Sequence, residues 1–362
     1  METIGGHFAI PSEFTHKSLN VGKLQFPEKQ LLRSGTDSLR IILQDIQKKS
    51  VNPVTTILVP SFTCPKVYEL IISCKAKIVS YKIGPDLLVD KKDLYSKLDK
   101  GIDAVLVTDF FGLNESSKNQ TVLEILRYGS ACILDAVGVA DELSKDNIVD
   151  KKFYAFNSLR KFSFFPDGSQ LVGDLDLSKI SRDLEVNNVD KVLEYKYELF
   201  SKRQTSNEIS VVEKLRGLEQ GIQTNSRTLV ASKYSHILFQ RWNFQDAAAK
   251  RKENFNQLLS GLRTIQDLSR QIEIPFSDEF TVSAPLVFPI RVLQDRDDLK
   301  KFLFERNIVS VIHWLGPKDD EIDFFSEELS STLLSLPIDH RISSDNIDYM
   351  VETFRQYVSL NV

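Results

Sequence analysis

Short apolar runs alternate with helical patterns over the first half of the chain, and this alternation constrains the fold more than any other feature. Short apolar runs bounded by turn residues are typical of buried strands, while apolar residues three and four apart indicate helices. Strands that alternate with helices form a largely parallel sheet covered by helices on both faces. The predicted strands are Thr55–Val59, Ala76–Tyr81, Ala104–Thr108 and Ala131–Leu134. The predicted helices are Ser34–Lys48, Pro65–Ser73 and Asn119–Tyr128.

The second half of the chain predicts a helical connection followed by a smaller α/β unit. Charged helical patterns that contain leucine replace the strand signal between Leu177 and Phe244. We therefore predict an α/β protein with an N-terminal arm (1–30), a large domain that includes the helical connection (31–245) and a small C-terminal domain (246–362). The elements predicted for the small domain are helix Ala247–Leu262, strand Leu286–Arg291, helix Asp297–Arg306, strand Val309–His313 and helix Ser344–Val358.

The charge balance disfavours polyanionic partners. The 362 residues include 46 Lys and Arg against 50 Asp and Glu, which leaves a formal charge of -4 without a lysine-rich tail. Such a chain has no general affinity for nucleic acid or for an anionic membrane surface. No apolar run approaches the roughly 18 residues that cross a bilayer, so we expect a cytoplasmic protein.

The cysteines and histidines favour neither a disulfide framework nor a metal site. Cys64, Cys74 and Cys132 are odd in number, and none of them has a Cys-x-x-Cys spacing. We therefore expect reduced cysteines and no metal ion. The histidines without the spacing of zinc ligands are His7, His16, His236 and His340.

The helix predicted to begin near Ser34 opens with residues that suit an anion. The segment Ser34-Gly35-Thr36-Asp37 places a glycine and a hydroxyl residue where a helix presents free backbone N–H groups and the positive end of its dipole. Such an N-terminus binds phosphate groups. Serine and threonine also cap helices for structural reasons alone, so a cap without a ligand is the alternative.

In the segment Cys132-Ile133-Leu134-Asp135-Ala136, an apolar strand finishes in the carboxylate of Asp135. In open α/β sheets, ligands bind in the crevice at the carboxyl ends of the strands, which would place Asp135 beside the ligand. The alternative is an aspartate that only caps the following loop.

The segment Phe153–Val172 holds Lys161 among aromatic residues. Apolar surroundings lower the pKa of a lysine, and the neutral amine forms Schiff bases with carbonyl compounds such as pyridoxal 5'-phosphate (PLP). That cofactor also needs an acid near its ring nitrogen and a cradle for its phosphate, which Asp135 and Gly35-Thr36 would supply. The alternative is a basic pair, Arg160 and Lys161, on the protein surface. The aromatic neighbours are Phe156, Phe162, Phe164 and Phe165.

Several short motifs follow one another in an order known from one enzyme family. They are Ser34-Gly35-Thr36, Val59-Pro60-Ser61-Phe62-Thr63, Asp109-Phe110-Phe111-Gly112, Leu134-Asp135-Ala136, Ser158-Leu159-Arg160-Lys161 with Pro166-Asp167-Gly168, Val311-Ile312-His313-Trp314, Leu336-Pro337-Ile338 and Ile347-Asp348-Tyr349-Met350. In this order and spacing, the chain resembles the DegT/DnrJ/EryC1/StrS family of sugar aminotransferases. The resemblance extends from about residue 31 to residue 358.

The resemblance implies a PLP-dependent aminotransferase of fold type I. It implies Lys161 as the lysine that binds the cofactor covalently and Asp135 as the partner of the pyridine nitrogen. Gly35, Thr36 and Ser158 match positions that hold the phosphate. The implied reaction moves an amino group from glutamate to a keto group of a nucleotide-linked sugar, as in polysaccharide biosynthesis, and the implied assembly is a homodimer.

Two positions depart from the family pattern. Cys64 stands where many members place an aromatic residue that stacks on the cofactor ring, and Gly138 stands where many carry His or Gln near the ring hydroxyl. Two alternatives therefore stay open: a PLP enzyme that acts on an amino acid or another small keto compound, and a non-catalytic regulatory protein that retains the fold. The residues that would cover the ring are Cys64 itself, Phe62, Phe110 or Phe111.

The pair His313-Trp314 lies where the small domain would meet the crevice. We predict that it contacts substrate or cofactor, although a histidine in a strand also serves as a core residue. Some members of the family replace the lysine by histidine and dehydrate sugars, so Lys161 favours amination.

Overall fold

The structure is a computed structural model that describes most of the chain. Most of the predicted N-terminal arm (1–30) lies outside the described residues, and the division into domains stays a prediction. The described residues are 3–10, 31–52, 54–98, 101–113, 115–143, 150–181, 183–202, 208–224, 227–276, 280–316 and 326–360.

Strands and helices alternate along the first half of the described chain, as predicted. The strands are β1 (Ile4–Gly5), β2 (Thr56–Pro60), β3 (Lys77–Tyr81), β4 (Ala104–Thr108), β5 (Ala131–Asp135), β6 (Phe153–Phe156), β7 (Leu171–Gly173), β8 (Ile272–Glu273), β9 (Val287–Val292), β10 (Ile308–Val309) and β11 (Leu333–Pro337). The helices are α1 (Gly35–Lys49), α2 (Pro65–Ser73), α3 (Lys91–Leu98), α4 (Glu115–Arg127), α5 (Leu177–Ser181), α6 (Asp190–Lys202), α7 (Glu208–Thr224), α8 (Lys233–Arg241), α9 (Phe244–Arg263), α10 (Arg296–Phe304), α11 (Glu327–Thr332) and α12 (Ser344–Leu360).

The main sheet contains six strands in the order β3-β2-β4-β5-β6-β7. The strands from β2 to β6 pair in parallel, and β7 runs antiparallel at one edge. This confirms the prediction of an α/β fold with a mostly parallel sheet. Since the carboxyl ends of parallel strands lie together, the segments after β5 and β6 meet on one side of the sheet.

Side chains of the main sheet alternate between two hydrophobic clusters. In β4, Val105 and Val107 belong to one cluster, whereas Ala104 and Leu106 belong to the other. Successive residues of a strand point to opposite faces, so the two clusters are the cores of the two faces. Helices α1 and α2 complete one core, while α9 and α12 contribute to the other. Among the described residues, we find no helix long and apolar enough to cross a membrane.

A second sheet is antiparallel and has the order β11-β9-β8. Helices α9 and α12 match the predicted helices Ala247–Leu262 and Ser344–Val358, and β9 matches the predicted strand Leu286–Arg291. These helices touch closely at Gly261, where an added Cβ would overlap the side chain of Val351. A glycine at this position allows a contact that any other residue would force apart.

The predicted strand Val309–His313 is wrong in its extent. The strand β10 ends at Val309 and pairs only with the two residues of β1. Gly5 and Gly6 have positive φ angles of 86° and 79°, so the partner strand turns away and the ladder stops. Val311 then makes a single bridge to β11, and within the described chain His313 lies outside the strands.

Candidate active site

A cavity that opens to solvent lies at the carboxyl edge of the main sheet and collects residues from all three predicted segments. Gly35 and Thr36 come from the first turn of α1, and Asp135 is the last residue of β5. Ser158 and Lys161 come from the 3-10 turn that follows β6. The structure therefore brings together all five residues that the sequence predicted for the cofactor.

The first turn of α1 contains backbone N–H groups that have no hydrogen-bond acceptor within the helix. Ser34 caps the helix, since its Oγ accepts a hydrogen bond from the Asp37 N–H at 3.2 Å. The Ser38 N–H donates to the Ser34 carbonyl at 3.1 Å. The N–H groups of Gly35 and Thr36 precede these bonds and lack an intrahelical acceptor. They are the donors that an anion in the cavity would use.

The carboxylate of Asp37 would repel such an anion if it were unpaired. Arg33 neutralises it through two hydrogen bonds of 2.9 Å each, and both side chains are buried. Sequence reasoning missed Arg33. The spacing of four residues between Arg33 and Asp37 is the signal that could have found the pair.

Gly35 allows α1 to begin close to the turn that carries Ser158 and Lys161. A Cβ on Gly35 would lie 3.2 Å from Val137 Cγ2 and 3.3 Å from the Asn157 carbonyl oxygen. A larger residue would push the helix away from the sheet. The glycine therefore brings the N–H groups and the lysine to one cavity.

Asp135 is buried and has a raised pKa. Its Oδ1 accepts a hydrogen bond from the Val137 N–H at 3.0 Å, which fixes the orientation of the carboxylate. Burial raises the pKa of Asp135 to about 6, although the Val137 N–H and the charge of Lys161 act in the opposite direction. A cation placed beside this carboxylate would stabilise its charged form.

Lys161 has a lowered pKa. Burial lowers the pKa of its ammonium group, and the neighbouring Arg160 guanidinium lowers it as well. Cys64 and Asp135 act in the opposite direction, without reversing the shift. A larger fraction of Lys161 is therefore a neutral amine than in a lysine exposed to water.

A hydrogen-bond network fixes the turn that carries Lys161. The Asn157 side-chain amide donates to Gln170 Oε1 at 2.8 Å, and the Gln170 backbone N–H donates to Asn157 Oδ1 at 2.8 Å. The Leu159 N–H donates to the Gly168 carbonyl at 3.0 Å, and Gly168 has a φ of 117° that favours glycine. These contacts hold the Ser158–Lys161 turn against β7.

Comparisons with known proteins give matches in structure only. No protein-family model matches the chain, and no curated protein sequence matches it. A DegT DnrJ EryC1 StrS aminotransferase from Brucella abortus is 18% identical, with a TM-score of 0.63 over 97% of this chain and 91% of that chain. DesV from S. venezuelae, in complex with a ketimine intermediate, is 16% identical, with a TM-score of 0.63 over 98% and 91%. The PLP-form of Spr1654 from Streptococcus pneumoniae is 14% identical, with a TM-score of 0.61 over 99% and 94%.

The chain has the fold of the DegT/DnrJ/EryC1/StrS aminotransferases. The resemblance of the sequence motifs is thereby confirmed for the fold, and so is the predicted fold class, the α/β aminotransferase fold of type I. The cavity that holds Lys161 and Asp135 lies at the carboxyl edge of the main sheet of this DegT-type fold.

Cys64, the first departure from the DegT pattern, lines the cavity directly. It precedes α2 as its N-cap residue, and burial raises the pKa of its thiol. Among the described residues, the cavity lining does not include the three phenylalanines that were the alternatives. These are Phe62, Phe110 and Phe111.

Phe62 and Phe111 instead pack with the predicted pair His313-Trp314, and Phe110 packs against these two phenylalanines. The ring of Phe62 lies 5.3 Å from that of Trp314, and the ring of Phe111 lies 5.2 Å from that of His313, between centroids. Trp314 thus belongs to an aromatic cluster beside the cavity. His313 lines a second cavity that also contains Lys161, and its Nδ1 lies 2.9 Å from Ser335 Oγ. Burial lowers the pKa of His313 to about 3, so its ring is neutral.

A close approach of the backbone explains the glycine at position 138, the second departure from the DegT pattern. A Cβ on Gly138 would lie 2.8 Å from the Asp109 carbonyl oxygen and 2.9 Å from the Phe111 N atom. The backbone after β4 therefore occupies the space in which a side chain at 138 would begin. A histidine or glutamine cannot stand here unless that backbone moves.

We expect Gly138→Ala to lower the free energy of unfolding by about 1 to 3 kcal/mol, because the new Cβ overpacks a backbone contact. Urea unfolding measures the loss. The matched control is Gly217→Ala in α7, where an added Cβ meets nothing within 4 Å and alanine favours the helix. Equal stabilities of the two variants would contradict the close approach at Gly138.

Proposed function

We propose that this protein is a PLP-dependent aminotransferase that moves an amino group from glutamate to the keto group of a nucleotide-linked sugar. The observation that carries the proposal is the single cavity in which Lys161, Asp135 and the start of α1 meet. The fold supports it, since solved structures of similar fold include aminotransferases, and one structure is a PLP-form.

The residues around the cavity fit PLP. The free N–H groups at the start of α1 and the hydroxyls of Thr36 and Ser158 are donors for a phosphate group. Asp135 is the acid that a pyridine nitrogen requires, and Lys161 is an amine with a lowered pKa. When bound, PLP supplies an electron sink for the negative charge that develops at the α carbon of an amino acid.

Asp135 would hold a proton on the pyridine nitrogen through an ion pair. Burial disfavours the isolated carboxylate, but the attraction to an adjacent cation is stronger in the same low dielectric. The Val137 N–H keeps Oδ1 in place while this pair forms. Asp135 therefore would contribute charge in a fixed orientation.

Lys161 would have two tasks at one atom. Its Nζ would hold the cofactor covalently, and as a free amine the same Nζ would take a proton from the α carbon of the substrate. The lowered pKa of Lys161 suits both tasks, because each needs the neutral amine.

An absorbance spectrum of the purified protein with added PLP tests the proposal. We expect an absorbance band of the bound cofactor that borohydride reduction fixes covalently, and peptide mapping should place the label on Lys161. A protein that stays colourless and unlabelled would favour the non-catalytic alternative and overturn the proposal.

The substrate is tested with a panel of keto compounds and glutamate as the donor. The proposal predicts turnover of at least one nucleotide-linked keto sugar and formation of 2-oxoglutarate, measured by a coupled assay. Turnover of small keto acids alone would replace the sugar by the second alternative, and it would leave the cofactor assignment intact.

We expect Thr36→Val to weaken PLP binding by about 1.5 to 3 kcal/mol, the value of a hydrogen bond to a charged group. The stability of the apoprotein should not change, because Ser34 and not Thr36 caps α1. Fluorescence titration with PLP and urea unfolding of the apoprotein measure the two quantities on the same variant.

Ser34→Ala is the matched comparison for Thr36→Val. It removes the bond from the Asp37 N–H and should lower the free energy of unfolding by about 1 kcal/mol. If Thr36→Val lowered the stability and left PLP affinity unchanged, the phosphate cradle at α1 would be refuted.

A homodimer is the assembly that we propose for this protein, because the family that its motifs resemble forms homodimers. Light scattering after size-exclusion chromatography measures the mass of the particle. The proposal predicts twice the chain mass of 41.3 kDa.

A further inference from the structure

A second cavity, open to solvent, also includes Lys161 in its lining. It shares Arg160 and Lys161 with the first cavity, so a ligand in the second cavity would lie beside the proposed reacting amine. The second cavity is bounded by the segment around His7 together with residues of α6, α7 and α9.

The lining of the second cavity carries more positive than negative charge. Of its two carboxylates, Glu219 pairs with Arg160 at 3.3 Å, and Asp339 pairs with Arg341 at 2.7 Å. The remaining cations of the lining have no carboxylate within ion-pair distance among the described residues. They are Lys161, Lys196, Arg216 and Arg251.

Two buried guanidinium groups of this lining have a donor without an acceptor. Arg251 is 1% exposed, and its terminal nitrogens donate to the carbonyl oxygens of Leu286 at 2.9 Å and Phe162 at 2.8 Å. Its Nε has no hydrogen-bond partner among the described residues, and neither has the Nε of Arg160, which is 9% exposed. Buried donors in native proteins are almost always paired, so these two guanidinium groups leave part of their hydrogen-bonding capacity unsatisfied at the wall of the cavity.

Lys196 adds a buried cation that has no carboxylate within ion-pair distance in the described part of the chain. It is 1% exposed, and its Nζ donates to the Phe8 carbonyl oxygen at 3.2 Å. Burial lowers the pKa of Lys196 to about 8, and the charges of Arg160 and Arg341 act in the same direction. The charge of Glu219 opposes this shift without reversing it. A buried lysine in this state is costly for the free protein, and a bound anion would relieve that cost.

We propose that the second cavity binds a doubly charged anionic group, a dicarboxylate or a phosphate ester, through Lys196, Arg251 and Arg160. This inference rests on the proposed function, because it assigns the anionic group to a substrate of the aminotransferase. The group is then the carboxylates of the amino donor or the diphosphate of the nucleotide-linked acceptor. In either case it anchors the substrate with its reacting carbon toward Lys161.

Isothermal titration calorimetry on the full chain tests the proposal with glutarate as the dicarboxylate and inorganic pyrophosphate as the diphosphate. We expect at least one of the two to bind, while the neutral glutaramide does not. Binding of glutarate alone assigns the cavity to the amino donor, and binding of pyrophosphate alone assigns it to the acceptor. If neither anion bound, the proposal would be overturned.

Lys196→Met with Lys191→Met as its control ties the binding to the cavity. Both lysines lie on α6 and both changes remove one positive charge, but Lys191 is exposed and lies outside the cavity. We expect Lys196→Met to weaken anion binding about tenfold or more, and Lys191→Met to leave it within about twofold. Equal affinities of the two variants would refute the assignment. Thermal melting curves check that both variants fold. We expect Lys196→Met to keep the stability of the protein, because it replaces a buried charge without an ion-pair partner by an apolar side chain of similar length.

The same titration on Lys161→Ala separates this inference from the proposed function. Anion binding that still depends on Lys196 in this variant supports the second cavity, whatever the enzyme assay shows. If the wild-type protein had aminotransferase activity but no Lys196-dependent anion binding, the inference would fail and the proposed function would stand.

Discussion

Lys161→Ala should abolish both covalent PLP binding and aminotransferase activity. The variant removes the amine that lies in the cavity with Asp135 and the start of α1, whereas the other lysine of the lining, Lys66, is paired with Glu69 at 2.6 Å. Covalent labelling after borohydride reduction and turnover with glutamate are the two measurements. We expect the labelling to disappear and turnover to fall to background.

The fold of the Lys161→Ala variant should be intact. Lys161 has a pKa lowered mainly by burial, so its charge contributes no buried ion pair whose loss would destabilise the protein. Lys151→Ala, at an exposed position in the same stretch of chain, is the control for the loss of a lysine. Full activity in Lys161→Ala, or equal loss in Lys151→Ala, would show that another group is the nucleophile.

Asp135→Asn should retain bound PLP and lose activity by about 3 to 4 kcal/mol of transition-state stabilisation, a factor of several hundred. The amide oxygen can still accept the bond from the Val137 N–H, so the geometry persists. The neutral side chain cannot hold a proton on the ring nitrogen. Spectroscopic titration with PLP and steady-state kinetics separate binding from turnover.

A pH series on the apoprotein gives Asp135→Asn a second readout. Burial raises the folded-state pKa of Asp135 to about 6, from an ordinary value of 3.8. The folded protein then binds more protons than the unfolded chain between these values, so the wild type loses stability as the pH rises through this window. We expect the variant to lack this loss. It should be the more stable protein above pH 6, and that advantage should shrink as the pH falls from about 6 to about 4.

Two results would contradict the role of Asp135. Activity of Asp135→Asn within a few-fold of wild type would mean that the carboxylate only caps the loop after β5. A parallel pH dependence of unfolding in the two proteins would mean that Asp135 is not buried as the structure has it.

The candidate site was largely predictable because each part of it is local in sequence. The start of α1 follows from Ser34 as a cap, and Asp135 follows from the end of an apolar run. Lys161 was found among aromatic residues, and the order of the motifs supplied its role. The cap and the strand are formed by residues within four or five positions of one another, so the sequence contains their signals.

Elements that depend on distant partners were not predictable in the same way. The short strands β6 and β7 lie within an aromatic segment that shows no clear strand period, and they form because β6 pairs with β5. The strand predicted at Val309–His313 ends early because Gly5 and Gly6, some 300 residues away, end its partner. The size of β10 is therefore decided by a contact that local propensity does not contain.

Periodicity, capping and the order of the motifs predicted the class of the fold, the alternation of the main sheet and the five cofactor residues of the first cavity. They could not predict that the backbone after β4 requires a glycine at position 138, or that Lys196 and Arg251 share a cavity with Lys161. The difference lies in the range of the interactions. Periodicity and capping act within a few residues of the chain, whereas close backbone approaches and unpaired buried charges arise only when distant segments pack together.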